Sequence, residues 1–226
     1  VPNIKPPCYD LGMLRAIFLD WDGTLSKGRF WQQYQAERPT LYADIQTALF
    51  QDKARIHDWM RGKYLSEDIV TMLAPQLEIS TTELLNDLAT SCRALTLLHP
   101  HLPSQISTLR QQGLLVAIAT DNMDTFHRWT VPSLQLDSLV DGVLSSAQLG
   151  LLKNDVSANG SLPFFTGFLA ANQLVPAECL IIDDSAKLEP LAIANNFQYY
   201  RVTADTPAFD ALTQIMKHPD FQSPGV

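Results

Sequence analysis

The chemistry this chain could perform is concentrated where its apolar runs stop. Leu14-Arg15-Ala16-Ile17-Phe18-Leu19 ends at Asp20-Trp21-Asp22-Gly23-Thr24, the run 114–119 ends at Thr120-Asp121-Asn122, and the run 179–182 ends at Asp183-Asp184-Ser185. Lys153 follows the short apolar stretch Gly142-Val143-Leu144 on a loop. Converging carboxylates suit a hard divalent cation such as magnesium, which takes oxygen ligands. A carboxylate can also act as a covalent nucleophile, with a second one nearby as general acid and base. Lysine and threonine beside them can neutralise and hydrogen-bond an anionic group. Taken singly, each has an ordinary explanation: Asp-Gly strings make turns, Asp-Asp-Ser caps helices, and most lysines lie at the surface. Their order behind separate apolar runs points to one site.

Those runs, short and bounded by Gly and Asp, read as buried parallel strands, and 197–202 is a fourth. Helices are expected at 103–112, with Gly113 as its stop, at 163–172 and at 187–195. Strands alternating with helices predict an α/β fold, a Rossmann-like parallel sheet covered on its two faces, with ligands at the carboxyl ends of the strands. The segment 30–98 has a different texture, rich in Gln, Leu and Ala with few β-branched runs, and is expected to be all helical. Ser80-Thr81-Thr82-Glu83 has the capping-box pattern and opens a helix whose Leu84, Leu85 and Leu88 form an apolar face. An insertion this long has to bury its own small core. The expected division is a core domain from 1–27 and 99–226 and an inserted α-helical cap from 28–98. Its hinges are expected near Ser26-Lys27-Gly28 and His99-Pro100, and the tail 217–226 is expected to be loose.

In their order these residues resemble the four motifs of the haloacid dehalogenase superfamily: DWDGT at 20–24, IAT at 118–120, Lys153, and IIDDS at 181–185. The flanks are also similar, including His99-Pro100 and Asp141-Gly142-Val143-Leu144-Ser145-Ser146, and Gly62-Lys63-Tyr64-Leu65-Ser66 resembles the joint between two helices of the family's helical cap. The resemblance implies that Asp20 is the nucleophile, with Asp22 as general acid and base. It implies that Thr120 and Lys153 hold the transferring phosphoryl group, and that Asn122 contacts substrate. Asp20, the backbone carbonyl of Asp22, Asp183 and Asp184 are then the magnesium ligands. The chain departs from the family pattern in several places: Asn154 follows the lysine where proline is common, and the stretch to Leu162 is longer than usual. Asp121 adds an acid to the second motif and is expected to point away from the site. Asp183 stands where glycine is frequent, and Glu189 lies off the spacing of the usual downstream acid. Trp21 is expected to pack against cap or core.

The bulk properties narrow the function. A chain of 226 residues with 46% hydrophobic and 18% charged residues can bury one sizeable core and carry a small subdomain. A net charge of -8 argues against a nucleic-acid scaffold as partner, since phosphate backbones require clustered cations, and no apolar run approaches the roughly 20 residues that span a bilayer. Cys8, Cys92 and Cys179 are far apart, and His57, His99, His101, His127 and His218 share no ligand spacing. With no leader pattern in 1–7, a cytoplasmic location is the default expectation. The expected activity is magnesium-dependent hydrolysis of a small phosphomonoester through an aspartyl-phosphate, with a small phosphorylated metabolite as partner, by a monomer or homodimer. A phosphomutase acting on a sugar phosphate and a non-catalytic binding protein of the same fold are the alternatives. A dehalogenase also uses a nucleophilic Asp but has no leaving oxygen to protonate, so Asp22 argues against it.

Overall fold

The computed structural model describes residues 11–218; the leader expected to be absent at 1–7 and most of the tail lie outside them. Five strands form one sheet: β1 Ala16–Leu19, β2 Leu115–Thr120, β3 Gly142–Ser145, β4 Cys179–Asp183 and β5 Gln198–Arg201. Their order is β3-β2-β1-β4-β5 and every pairing is parallel. The expected Rossmann-like sheet is therefore present, with one strand more than the four apolar runs. The extra strand is β3, where Gly142-Val143-Leu144 pairs with β2 from Ala117↔Gly142 to Thr120↔Ser145. A four-residue edge strand is too short to show a period, which is why its sequence reads only as an apolar stretch.

Alternation along β1 builds the two layers around the sheet. Ile17 and Leu19 face a cluster containing Ile106, Leu109 and Leu212, supplied by helices Leu102–Gln111 and Ala208–Met216. Ala16 and Phe18 face the other side, with Phe164, Phe165 and Leu188 from helices Pro163–Ala171 and Leu188–Ala194. Phe18 meets Phe165 edge to face at 5.0 Å. Burial on two faces explains why the central strands read as continuous apolar runs.

Between β1 and β2 the chain is helical: Tyr34–Glu37, Pro39–Ile45 running into a π turn at Gln46–Phe50, Lys53–Met60, Ser66–Leu77 and Thr81–Arg93. The Ser80 hydroxyl accepts from the Glu83 N–H at 3.1 Å, but the Glu83 carboxylate turns to Arg38 at 2.7 Å, so only half of the capping box forms. Leu84 and Leu88 are buried as their spacing implies. The core under these helices, including Trp31, Tyr34, Trp59, Leu73 and Leu88, is completed by Met123 and Trp129 from beyond β2. The inserted helices thus bury a cluster of their own, separate from the two beside the sheet, and Met123 and Trp129 of the sheet domain close it from below.

Polar contacts fasten the same joint. Asp124, at the start of the helical segment after β2, accepts from the Trp59 indole N–H (2.8 Å), the Ser66 N–H (3.1 Å) and the Ser66 hydroxyl (2.9 Å). Arg128 pairs with Asp124 at 2.8 Å and with Glu67 at 2.6 Å, and Arg61 pairs with Asp155 at 2.5 Å. A Cβ at Gly62 would overlap the Ala147 carbonyl oxygen, so the two parts approach at backbone distance. No helix among the described residues is long and apolar enough to cross a membrane.

Candidate active site

The carboxyl ends of β1, β2 and β4, with the loop after β3, bring together the residues that the motifs single out. Asp20 leaves β1 with its N–H donating to the Ile182 carbonyl at 3.0 Å, which ties it to β4. The chain then turns sharply: the Trp21 carbonyl accepts from the Leu25 and Ser26 N–H groups, each at 2.9 Å. Gly23 occupies the left-handed region (φ +79°), and a Cβ there would overlap the Asp184 carboxylate, so glycine is required twice over. Trp21 is fully buried on the sheet side, edge to face with Phe126 at 5.2 Å. This resolves the choice left open for it between cap and core.

Lys153 is the hub. Its Nζ lies 2.5 Å from Asp20 Oδ1 and 2.6 Å from Asp183 Oδ2, and all three side chains are almost fully buried. The longer loop after it does not displace the lysine, because its backbone is pinned. The Lys153 N–H donates to Asp121 Oδ1 at 2.9 Å and the Leu152 N–H to Asp155 Oδ2 at 2.8 Å. Asp121, through this bond, positions the lysine. Asp183 uses its other oxygen, Oδ1, to accept from the Ser185 N–H at 2.7 Å. Glu189 turns to Arg201 at 3.5 Å.

The cluster holds more negative charge than one ammonium balances. Asp20, Asp183 and Asp184 offer carboxylate oxygens within 4.8 Å of one another. Three carboxylates against one ammonium leave two negative charges, which a divalent cation would cancel, and the donors are all hard oxygens. Burial pushes the Asp20 carboxyl well above its usual range; the Lys153 charge opposes this and the Asp183 charge adds to it. Burial would lower Lys153, but Asp20, Asp183 and Asp121 override it and hold the ammonium above its ordinary value. Partial desolvation, then the charge of Asp183, raise Asp184. These residues fit a magnesium ion: Asp20 and Asp184 have oxygens available for it, and none of the described backbone N–H groups donates to the Asp22 carbonyl.

Asp22 points from the same turn into a cavity of about 310 Å³ beneath the helical insertion. Removal from bulk water is the largest effect on its carboxyl, which is pushed up to about 6 against the pull of Arg29. Asn122 faces it, Nδ2 to Asp22 Oδ2 at 3.5 Å, and is held firmly. Its N–H donates to Ser146 Oγ at 2.9 Å, the Ser146 hydroxyl donates back to its carbonyl at 3.0 Å, and its Oδ1 accepts from the Met123 N–H at 2.9 Å. The Thr120 hydroxyl, fully buried at the end of β2, has no hydrogen-bond partner among the described residues. Every motif residue therefore lies at one end of the sheet. The residues that the sequence did not reveal are the supports, Ser146, Asp124 and Asp155, together with the cations Arg29 and Lys53 on the cavity wall. Ser146 to Asn122, Asp124 to Trp59 and Asp155 to Arg61 act across long stretches of chain, and Arg29 and Lys53 stand outside any motif, so none leaves a local pattern.

No protein-family model and no curated protein matches the sequence. Solved structures do match in shape. A predicted HAD-like family hydrolase from Porphyromonas gingivalis superposes with a TM-score of 0.68 at 20% identity, covering 91% of this chain and 99% of that one. A HAD family enzyme from Bacteroides thetaiotaomicron, an aspartate-to-alanine variant in complex with magnesium and inorganic phosphate, gives 0.61 at 11% identity, covering 84% and 95%. L-2-haloacid dehalogenase from Xanthobacter autotrophicus, with chloropropionic acid covalently bound, gives 0.58 at 17% identity, covering 92% and 86%. The chain has the fold of the HAD-like hydrolases.

Proposed function

We propose that this chain is a magnesium-dependent phosphatase that hydrolyses a small phosphomonoester through an aspartyl-phosphate on Asp20. The observation that carries the reading is the pairing of a buried Asp20, held by Lys153, with a second carboxyl, Asp22, that opens to a cavity beside it. A carboxyl pushed up to about 6 is suited to give a proton to a leaving oxygen and later to take one from water. A dehalogenase needs no such donor, because halide leaves unprotonated. The Bacteroides relative in shape was crystallised with magnesium and inorganic phosphate, which fits this reading, although that likeness alone reaches only the fold.

Magnesium, bound by Asp20, Asp184, the Asp22 carbonyl and, at need, Asp183, would supply positive charge for a phosphate that the carboxylates otherwise repel. The chain's own residues do the rest. Asp20 would attack with one carboxylate oxygen while the other faces the cation; Oδ1 accepts from Lys153 and Oδ2 lies 3.5 Å from the Thr24 hydroxyl. Lys153 neutralises charge on the nucleophile and on the transferring group. The unpartnered Thr120 hydroxyl is available to donate to a phosphoryl oxygen. Asn122 orients the Asp22 carboxyl. The test is turnover of a panel of sugar phosphates, nucleotides, phosphoglycolate and lipid-precursor phosphates with magnesium and with EDTA. Phosphate release that requires the metal supports the reading, and an isomerised sugar phosphate without release would assign a phosphomutase.

A further inference from the structure

The phosphoryl group's charge would be met at the sheet, by Lys153 and a cation held by the carboxylates, yet two more cations line the cavity into which Asp22 points. Arg29 lies at its mouth, 4.0 Å from Asp22. Lys53 lies on its wall and, among the described residues, makes no ion pair; the acid beside it, Asp52, is taken by Arg55 at 3.2 Å and by the Arg55 N–H at 3.0 Å. The remaining lining is mostly apolar. Phe30, Phe50 and Met60 are only partly buried at the edge of the shared cap core, and the surface they leave open is the cavity wall, with Ile56 and Leu95 beside them. The Gln46 side chain adds one amide. The group that leaves with the phosphoryl oxygen has to occupy this space if Asp22 is to protonate it, so the inference rests on the phosphatase reading.

We propose that the leaving alcohol is an apolar body carrying a second anionic group, such as a carboxylate, and that Arg29 and Lys53 select it. The cavity's 310 Å³ has room for on the order of ten water volumes, enough for a ring or a short branched chain with its anion. An apolar wall contributes affinity for the body but little discrimination, whereas Lys53 and Arg29 put positive charge at the rim of the same cavity and distinguish an anionic from a neutral group. A sugar phosphate, with hydroxyls all round, would leave most of this wall without complementary contact. Nucleotides fit poorly for the same reason at the ribose.

The test compares two matched esters, phenethyl phosphate and its para-carboxylate derivative, with magnesium, as the ratio of their kcat/KM values. The wild type should favour the carboxylate by about tenfold or more, the worth of hydrogen bonds to a charged group. The ratio should fall toward one in Lys53→Gln and in the double variant with Arg29→Gln, and Lys53→Arg should keep most of it. A merely structural role would lower the two esters together and leave the ratio unmoved. A wild-type ratio of one or below, or a ratio unchanged in the double variant, overturns the proposal. If neither ester is hydrolysed, the phosphatase reading is decided separately by the panel above. The corresponding phosphonates, titrated calorimetrically into the magnesium-loaded protein, then decide the cavity: tighter binding of the carboxylate supports the selection by Arg29 and Lys53, and equal or absent binding refutes it.

Discussion

Asp124→Ala tests how the helical insertion is fastened over the site. The carboxylate of Asp124 is only 10% exposed and accepts from the Trp59 indole, from the N–H and hydroxyl of Ser66, and from Arg128. Truncation leaves the indole N–H, whose side chain is fully buried, without a partner, and frees the first N–H of the helix Ser66–Leu77. Arg128 keeps Glu67 and loses little. A lost hydrogen bond is worth roughly 1 kcal/mol and an unsatisfied buried donor about 1–3, so the loss should be about 2–4 kcal/mol, a large part of the typical 5–15 kcal/mol total. Urea unfolding reads the sum. Amide exchange reads where it falls: residues 53–77 should exchange faster while β1, β2 and β4 stay protected. A loss under about 0.5 kcal/mol, or exchange rising equally in the sheet, would refute the idea that this contact latches the insertion to the core.

Three further outcomes follow from the site. Gly23→Ala should destabilise the protein by at least about 1 kcal/mol, because φ is positive there and the added Cβ meets the Asp184 carboxylate, and it should weaken magnesium binding, which calorimetry would measure. The Asp22 carboxyl, pushed up to about 6, has to be protonated to assist an alkyl leaving group, so kcat for an alkyl phosphate should fall as pH rises through about 6. Asp22→Asn should remove that dependence with about a 10²- to 10⁴-fold loss of rate, seen in a kcat–pH profile. Asp20, Asp22 and Asp184 are all raised, so the metal-free folded state binds protons that the unfolded chain has lost. Its stability should therefore decline as pH climbs from about 4 through about 6. Magnesium needs the ionised carboxylates, so its thermal stabilisation should grow over the same window, reaching about 2.7 kcal/mol at a hundred times Kd. It should shrink in Asp184→Asn.

The sheet and the motif residues were legible because each depends on short stretches of chain. Ile17-Phe18-Leu19 and the run 179–182 announce buried strands, and a polar residue directly after such a run can only emerge at the strand's carboxyl end. The helical insertion was legible in its composition. What connects the parts was not. Met123 and Trp129 complete the core under the insertion, Asp121 pins Lys153, and Asp124 reaches Trp59 and Ser66. Each of these partnerships joins residues distant in sequence and leaves no period or spacing behind. The strand β3 escaped for a different reason: four residues at a sheet edge carry too little apolar signal to separate from a turn.

The central claim is that Asp20 accepts the phosphoryl group, and acid-quenched single-turnover mass spectrometry tests it most directly. With an aryl phosphate and magnesium, Asp22→Asn should accumulate a phosphoenzyme, because the group that activates water for its breakdown has been removed while a good leaving group needs little protonation. Peptide mapping of the trapped protein should place the phosphoryl on Asp20, and Asp20→Asn should form none. A phosphoenzyme located on another residue, or turnover by Asp20→Asn comparable to the wild type, would contradict the account.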